Sequence, residues 1–211
     1  MISTLAGLYD VLNSFGLMGT LDPSIPPHGP FHVEIVAPGS SSTLTASGLP
    51  IATHRTLDEV DRTDIVIVPS MLVENGAWRR DRYPRVVDWL SAMHERGSIL
   101  CSTCSGVLLL AGTGLLDGRD ATVHWSYART FESNFPEVRL RVEKVLVVSG
   151  ERRWFVMSGA SASWHDLVLY LVAREVGPFD PPLCHGDGVI LGACNGGLPG
   201  TFRSPPPWSR W

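Results

Sequence analysis

Ser98-Ile-Leu-Cys-Ser-Thr-Cys104-Ser-Gly-Val-Leu-Leu-Leu-Ala111 joins two apolar runs with almost no connector between them. Ser98 to Thr103 reads as a strand buried on both faces, as in a parallel sheet. Ser105 to Leu116 reads as a strongly apolar helix with Gly114 near its last turn. A residue at such a junction sits on a tight, often strained turn, and its side chain projects above the C-terminal edge of the sheet. Ligands gather at that edge in open α/β folds. Cys104 holds the place. The positive end of the following helix favours a thiolate there. The Ser105 N–H points toward any oxyanion that forms, and Gly106 lets the helix pack close to the strand. Cys104 also admits a plainer reading as a core cysteine, because free cysteines are among the most buried residues. Cys101, inside the strand, reads as core.

Outward from this junction the chain alternates strands and helices. Upstream, Asp64-Ile-Val-Ile-Val-Pro69 is a short apolar run bounded by turn signals, which predicts a second buried strand. Tyr83 to Arg96 carries Val86, Val87, Leu90 and Met93 at helical spacing. Phe31 to Ala37 alternates and reads as a strand, and 38–50 as a loop or hairpin. Ser3-Thr4 followed by Leu5, Leu8, Tyr9, Val11 and Leu12 predicts a capped helix ending near Gly16. Residues 17–30 read as a loop. Downstream, Ala121 to Trp125 reads as a strand and Ser126 to Phe135 as a helix. Glu143 to Val148 and Arg153 to Ser158 pair around the Ser149-Gly150 turn. Ser163 to Glu175 is the last helix, with Ser163 and Asp166 spaced as a capping box. Such alternation implies a mostly parallel sheet with helices on both faces. From about Pro178 the chain turns Gly- and Pro-rich with little periodicity, and an irregular tail is expected over 178–211.

Composition narrows the function. Hydrophobic residues make up 44% of the 211, enough for one domain with a real core. The net charge of −4 argues against nucleic acid as a default partner. Met1 to Gly16 has no basic n-region, and no run reaches the roughly 18 apolar residues a membrane span needs. With four cysteines and no visible signal, free thiols in a cytoplasmic protein are the expectation. Cys101 and Cys104 have CxxC spacing, but Cys184 and Cys194 do not supply a second zinc-ribbon pair. No metal and no cofactor are expected, and Cys184, His185 and Cys194 read as incidental.

The run from Cys104 through Leu115-Leu-Asp-Gly-Arg119 to Thr122-Val-His124-Trp125 resembles the elbow-to-next-strand segment of the ThiJ/PfpI superfamily, which has a class I glutamine-amidotransferase-like fold. The likeness is greatest to the sensor-like N-terminal domains of GlxA-type regulators of the AraC family, then to isocyanide hydratases. Leu5-Ala-Gly-Leu-Tyr-Asp-Val-Leu12 and Ser158-Gly-Ala-Ser-Ala-Ser-Trp-His-Asp-Leu167 also fit, so the likeness covers roughly residues 3–177. It implies a three-layer, flavodoxin-like α/β sandwich over 1–177. It further implies Cys104 as the reactive cysteine, with His124 near it. Ser70 and Met71 match the turn that supplies a second oxyanion-hole N–H, where many members carry Gly-Gly. Trp125, Trp164 and His165 match positions near the pocket rim, although both tryptophans also read as core packing.

Two departures matter. Members usually begin with an interior strand ahead of the first helix, and that strand is missing here. The sequence reading is therefore of a chain whose true start lies upstream, or of a fragment. In the enzymes an acid near the start of that helix hydrogen-bonds the cysteine. The matching position is Thr4, which cannot act as a carboxylate base, and Asp10 reads as a surface acid. The second departure is that GlxA-type regulators continue into a basic helix-turn-helix domain, whereas this tail shows no such pattern. Three functions follow as expectations. The first is a small-molecule or redox-sensing domain without its DNA-binding part. The second is a cysteine-dependent hydrolase or hydratase acting on a carbon–nitrogen bond, amidase-like or isocyanide-hydratase-like. In it Cys104 attacks, the Ser105 and Met71 N–H groups hold the charge and His124 moves protons. The third is a dimerisation module. A homodimer is expected under each, with no direct contact to nucleic acid or membrane.

Overall fold

The computed structural model describes residues 2–22, 25, 30–39, 42–45, 47–73 and 78–175. The expectations for the tail, including Cys184, His185 and Cys194, lie outside the described residues. The chain divides into two compact units, Met1–Leu167 and Val168–Trp211, with the boundary inside the last helix. Of the second unit, the described residues are the final turns of that helix.

The first unit opens with α1 (Ile2–Leu21), followed by four short strands, β1 (Val36–Ala37), β2 (Ser42–Leu44), β3 (Pro50–Ala52) and β4 (Arg55–Thr56). Then come β5 (Ile65–Val68), α2 (Pro84–Glu95), β6 (Ile99–Thr103) and α3 (Val107–Gly112), the last preceded by a 3-10 turn over Cys104–Gly106. The remainder is β7 (Asp120–Ala121), α4 (Ala128–Asn134), β8 (Arg139–Leu140), β9 (Leu146–Ser149), β10 (Phe155–Ser158) and α5 (Trp164–Glu175).

The main sheet has the order β5-β6-β10-β9. β6 pairs in parallel with β5 on one side, with Ile67 opposite Cys101, and with β10 on the other, with Ser158 opposite Thr103. β9 and β10 are antiparallel. β6 is thus a central strand, and all five of its residues are buried, as the unbroken apolar run requires. Two small parallel pairs, β1-β4 and β7-β8, and the β2-β3 hairpin complete the strands. Among the described residues no ladder joins β1-β4 to the main sheet. The architecture is the mostly parallel α/β sheet that the strand–helix alternation implies, and it is consistent with the flavodoxin-like sandwich that the resemblance implies.

The core gathers where α2 and α3 meet β6. Val107, Leu108, Leu109, Leu110 and Ala111 are all buried, so five of the six residues of α3 belong to the core. Each large aliphatic side chain there contributes about 1.5–3 kcal/mol by leaving water.

Several boundaries differ from the sequence reading, each for a local reason. The helix expected over Ser105–Leu116 shrinks to six residues, because the chain leaves the elbow as a 3-10 turn and Gly114, at φ +75°, begins a turn soon after. The helix expected from Ser126 starts at Ala128, because the His124 ring accepts the Ser126 N–H and winds Trp125–Tyr127 as a 3-10 turn. The strand expected over Ala121–Trp125 is confined to Asp120–Ala121. Ser163 does not reach forward into α5; its hydroxyl accepts the N–H of Ala160 at 3.1 Å. The hairpin around Ser149-Gly150 forms as expected, with Val156 opposite Val148.

Candidate functional site

The tight junction after β6 forces an unusual backbone. Cys104 has φ +53°, in the left-handed region that non-glycine residues seldom adopt. Such a conformation costs roughly 1–2 kcal/mol and persists only where the surroundings impose it. Gly106 shows what imposes it. A Cβ at this position would overlap the Val68 carbonyl oxygen and lie 2.8 Å from that of Pro69. Only glycine lets the elbow sit directly on the end of β5.

Cys104 is 4% exposed, and its sulfur lies 3.8 Å from the Ser161 hydroxyl. Ser161 is solvent-exposed and sits in the turn between β10 and α5. Cys101 and Cys104 are both free thiols, and Cys101 is wholly buried.

The neighbouring Ser105 is also fully buried, and its side chain makes a two-way bridge to the turn after β5. The Met71 N–H donates to Ser105 Oγ at 2.8 Å, and the same hydroxyl donates to the Met71 carbonyl at 2.6 Å. The N–H expected to complete an oxyanion hole is therefore engaged by the residue after the cysteine. Ser70 is buried beside it.

The remaining expected residues differ in burial and in their partners. His124 Nδ1 lies 2.7 Å from the Ser126 hydroxyl and accepts the Ser126 N–H at 3.3 Å. An accepting Nδ1 puts the proton of the neutral ring on Nε2. Trp125 is 74% exposed, and its ring centroid is 5.3 Å from that of His124. It is a surface aromatic rather than core packing. Thr4 is buried in the first turn of α1. The Trp164 and His165 rings stack with centroids 3.6 Å apart. One turn beyond Thr4, Gly7 faces the edge of the Trp164 indole so closely that a Cβ would fall 2.5 Å from two of its ring carbons. Among the described residues, the side-chain hydrogen bond of Cys104 runs to Ser161 and that of His124 to Ser126. No group of three or more His, Cys, Asp or Glu among the described residues is placed to hold a metal ion.

Sequence reasoning did not single out Ser161 or Gly7. Ser161 lies among small residues that look alike in the sequence, and only the approach of the turn to β6 sets it apart.

A strained cysteine on a strand-to-helix elbow, within a mostly parallel α/β sheet, defines the elbow-cysteine class of α/β proteins. The family model for "DJ-1/PfpI family" matches residues 8–154, and the chain belongs to this family. It is 28% identical over 153 residues to the HTH-type transcriptional regulator CdhR of Pseudomonas aeruginosa, covering 70% of this chain and 43% of that protein. It is 29% identical over 123 residues to an isonitrile hydratase of Pseudomonas putida, covering 58% of this chain and 47% of the hydratase. The chain thus spans less than half the length of either. Among solved structures, an AraC family transcriptional regulator from Pseudomonas putida superposes with a TM-score of 0.67 at 18% identity, over 92% of this chain and 91% of that one. That likeness shows the fold. Among the described residues no helix is long and apolar enough to cross a membrane.

Proposed function

We propose that this domain senses a small molecule or an oxidant at Cys104, as the sensory part of a transcription-regulating system, and does not turn over a substrate. The observation that carries this reading is the Ser105 bridge to Met71. A hydrolytic centre keeps its oxyanion donors free and aimed at the developing charge. Here one of the two expected donors is already satisfied. Thr4, at the position where the enzymes of the resemblance carry an acid, supplies no carboxylate. The match to a transcriptional regulator supports the same reading. In this reading Cys104 is the responsive group, with Ser105, Ser70, Met71, Thr4, Trp125, Trp164 and His165 as its proposed surroundings and His124 as its proposed proton carrier. The free thiols support a reducing, cytoplasmic setting. The domain acts as a homodimer, without metal or cofactor and without touching DNA itself.

Oxidation needs only a hydroperoxide. The thiolate sulfur takes one oxygen, the O–O bond breaks, and alkoxide or hydroxide leaves with the electron pair, giving a sulfenic acid once a proton is returned. The test is thermal unfolding with and without hydrogen peroxide and a metabolite panel. A shift in Tm that disappears in Cys104→Ala is expected. No shift from any member of the panel would overturn the proposal.

A hydratase or amidase reading has one observation in its favour, the 29% identity to an isonitrile hydratase. It requires the Met71–Ser105 bond to open during reaction. Turnover of a model isocyanide or amide that is lost in Cys104→Ala would favour it over sensing.

A further inference from the structure

The turn between β10 and α5 brings one polar group to the Cys104 sulfur, the Ser161 hydroxyl at 3.8 Å. That turn is internally braced. The Ala160 N–H donates to Ser163 Oγ at 3.1 Å, and the Ser163 N–H donates to the Ala160 carbonyl at 3.1 Å. Its far end is fixed by His165, whose Nδ1 lies 2.8 Å from the Ala162 carbonyl oxygen and whose ring stacks on Trp164. Trp164 in turn lies against α1 at Gly7, where there is no room for a side chain. Ser161 itself is exposed, so apolar burial of its own side chain does not hold it over the thiol.

We infer that Ser161 is a positioning residue for Cys104, the hydroxyl that donates to its thiolate, and that the Trp164 indole seated on Gly7 of α1 holds it there. The inference rests on Cys104 being the responsive group. A hydroxyl donating to an anionic sulfur stabilises the anion relative to the thiol, so removing it lowers the thiolate fraction at neutral pH. A residue that merely covers the sulfur has the opposite signature, because its removal speeds attack at every pH.

The experiment is the rate of Cys104 alkylation by iodoacetamide against pH in the full chain, followed by mass mapping of the Cys104 peptide. Ser161→Ala is expected to slow alkylation at neutral pH roughly threefold or more, the worth of one hydrogen bond. Its profile should move to higher pH and rejoin wild type on the alkaline plateau. Ser161→Thr, which keeps the hydroxyl, should restore the wild-type profile. Gly7→Ala should move the profile in the same direction while circular dichroism shows α1 intact, since alanine is the better helix former. A Ser161→Ala profile that overlays wild type, or lies above it at all pH values, overturns the role of Ser161. A wild-type profile for Gly7→Ala overturns the anchoring by Trp164. Alkylation reads the thiol whether or not a natural effector is known. A protein with no oxidant- or metabolite-induced shift in Tm would therefore lose the sensing reading, while these profiles would still decide the positioning role.

Discussion

Two regions meet at the Cys104 sulfur, and they are built on opposite principles. The elbow, from β6 through Ala111, is wholly buried, contiguous in sequence and wedged against the Val68 and Pro69 carbonyls. The wall, from Ser158 to His165, puts an exposed serine over the sulfur; it starts from the β10 ladder, is braced by hydrogen bonds within its own turn, and meets a helix far away in sequence through one indole. The elbow can sustain a strained φ at Cys104 because dense packing leaves it no alternative. The wall carries no comparable buried mass. The sensing proposed above uses both kinds of region: a rigid seat for Cys104 and a softer contact that can report on it.

Stability measurements separate the two. Leu108 is fully buried in α3, so Leu108→Ala should lower unfolding free energy by about 3 kcal/mol, read from the urea midpoint. A loss under about 1 kcal/mol would mean that the elbow is not the rigid partner. Gly106→Ala should come next, at about 2 kcal/mol, because its methyl meets backbone carbonyls that cannot rotate away. Gly7→Ala presents the same methyl to a side chain that can move, so its cost in stability should be much smaller than its effect on alkylation. Equal costs at the two glycines would erase the contrast between seat and wall.

The smallest effect is expected away from both regions. Asp120 on β7 bridges Arg139 at 2.8 Å and Arg141 at 3.1 Å. The hydrogen bond from Arg141 is the main cause that holds its carboxyl below the usual carboxylate range; burial opposes it, and the hydrogen bond from Arg139 adds to it. A depressed carboxyl contributes stability above its unfolded value and loses it as pH falls through the folded one. The partners are partly exposed, so screening limits the contribution to under about 1 kcal/mol. Asp120→Asn should therefore be slightly less stable than wild type at neutral pH, and the difference should disappear as pH falls through the lowered folded range of the carboxyl, by urea unfolding.

How much of this was legible in the sequence follows from how each feature is encoded. β5, β6 and α2 were readable because an apolar run bounded by turn residues, or a helical period, is a local pattern. The elbow was readable because strand and helix propensities abut at Cys104 with no linker. α3 came out shorter than its apolar run because the chain leaves the elbow as a 3-10 turn and Gly114, at positive φ, turns it soon after Gly112. The rim was less legible. Trp125 admitted a core reading but stands in solvent, since nothing in a single aromatic residue says whether the fold will cover it. The Met71 N–H was expected to be free, and only the approach of β6 to the turn after β5 reveals that Ser105 takes it.

By itself the sequence determined the sheet's central strand, the elbow and the identity of its cysteine, because each depends on neighbours a few residues apart. Tertiary structure alone decided what touches that cysteine. Ser161 lies 57 residues from Cys104, and Gly7 and Trp164 are farther apart still. Contacts at such separations are set by how whole elements dock, and no local propensity records them.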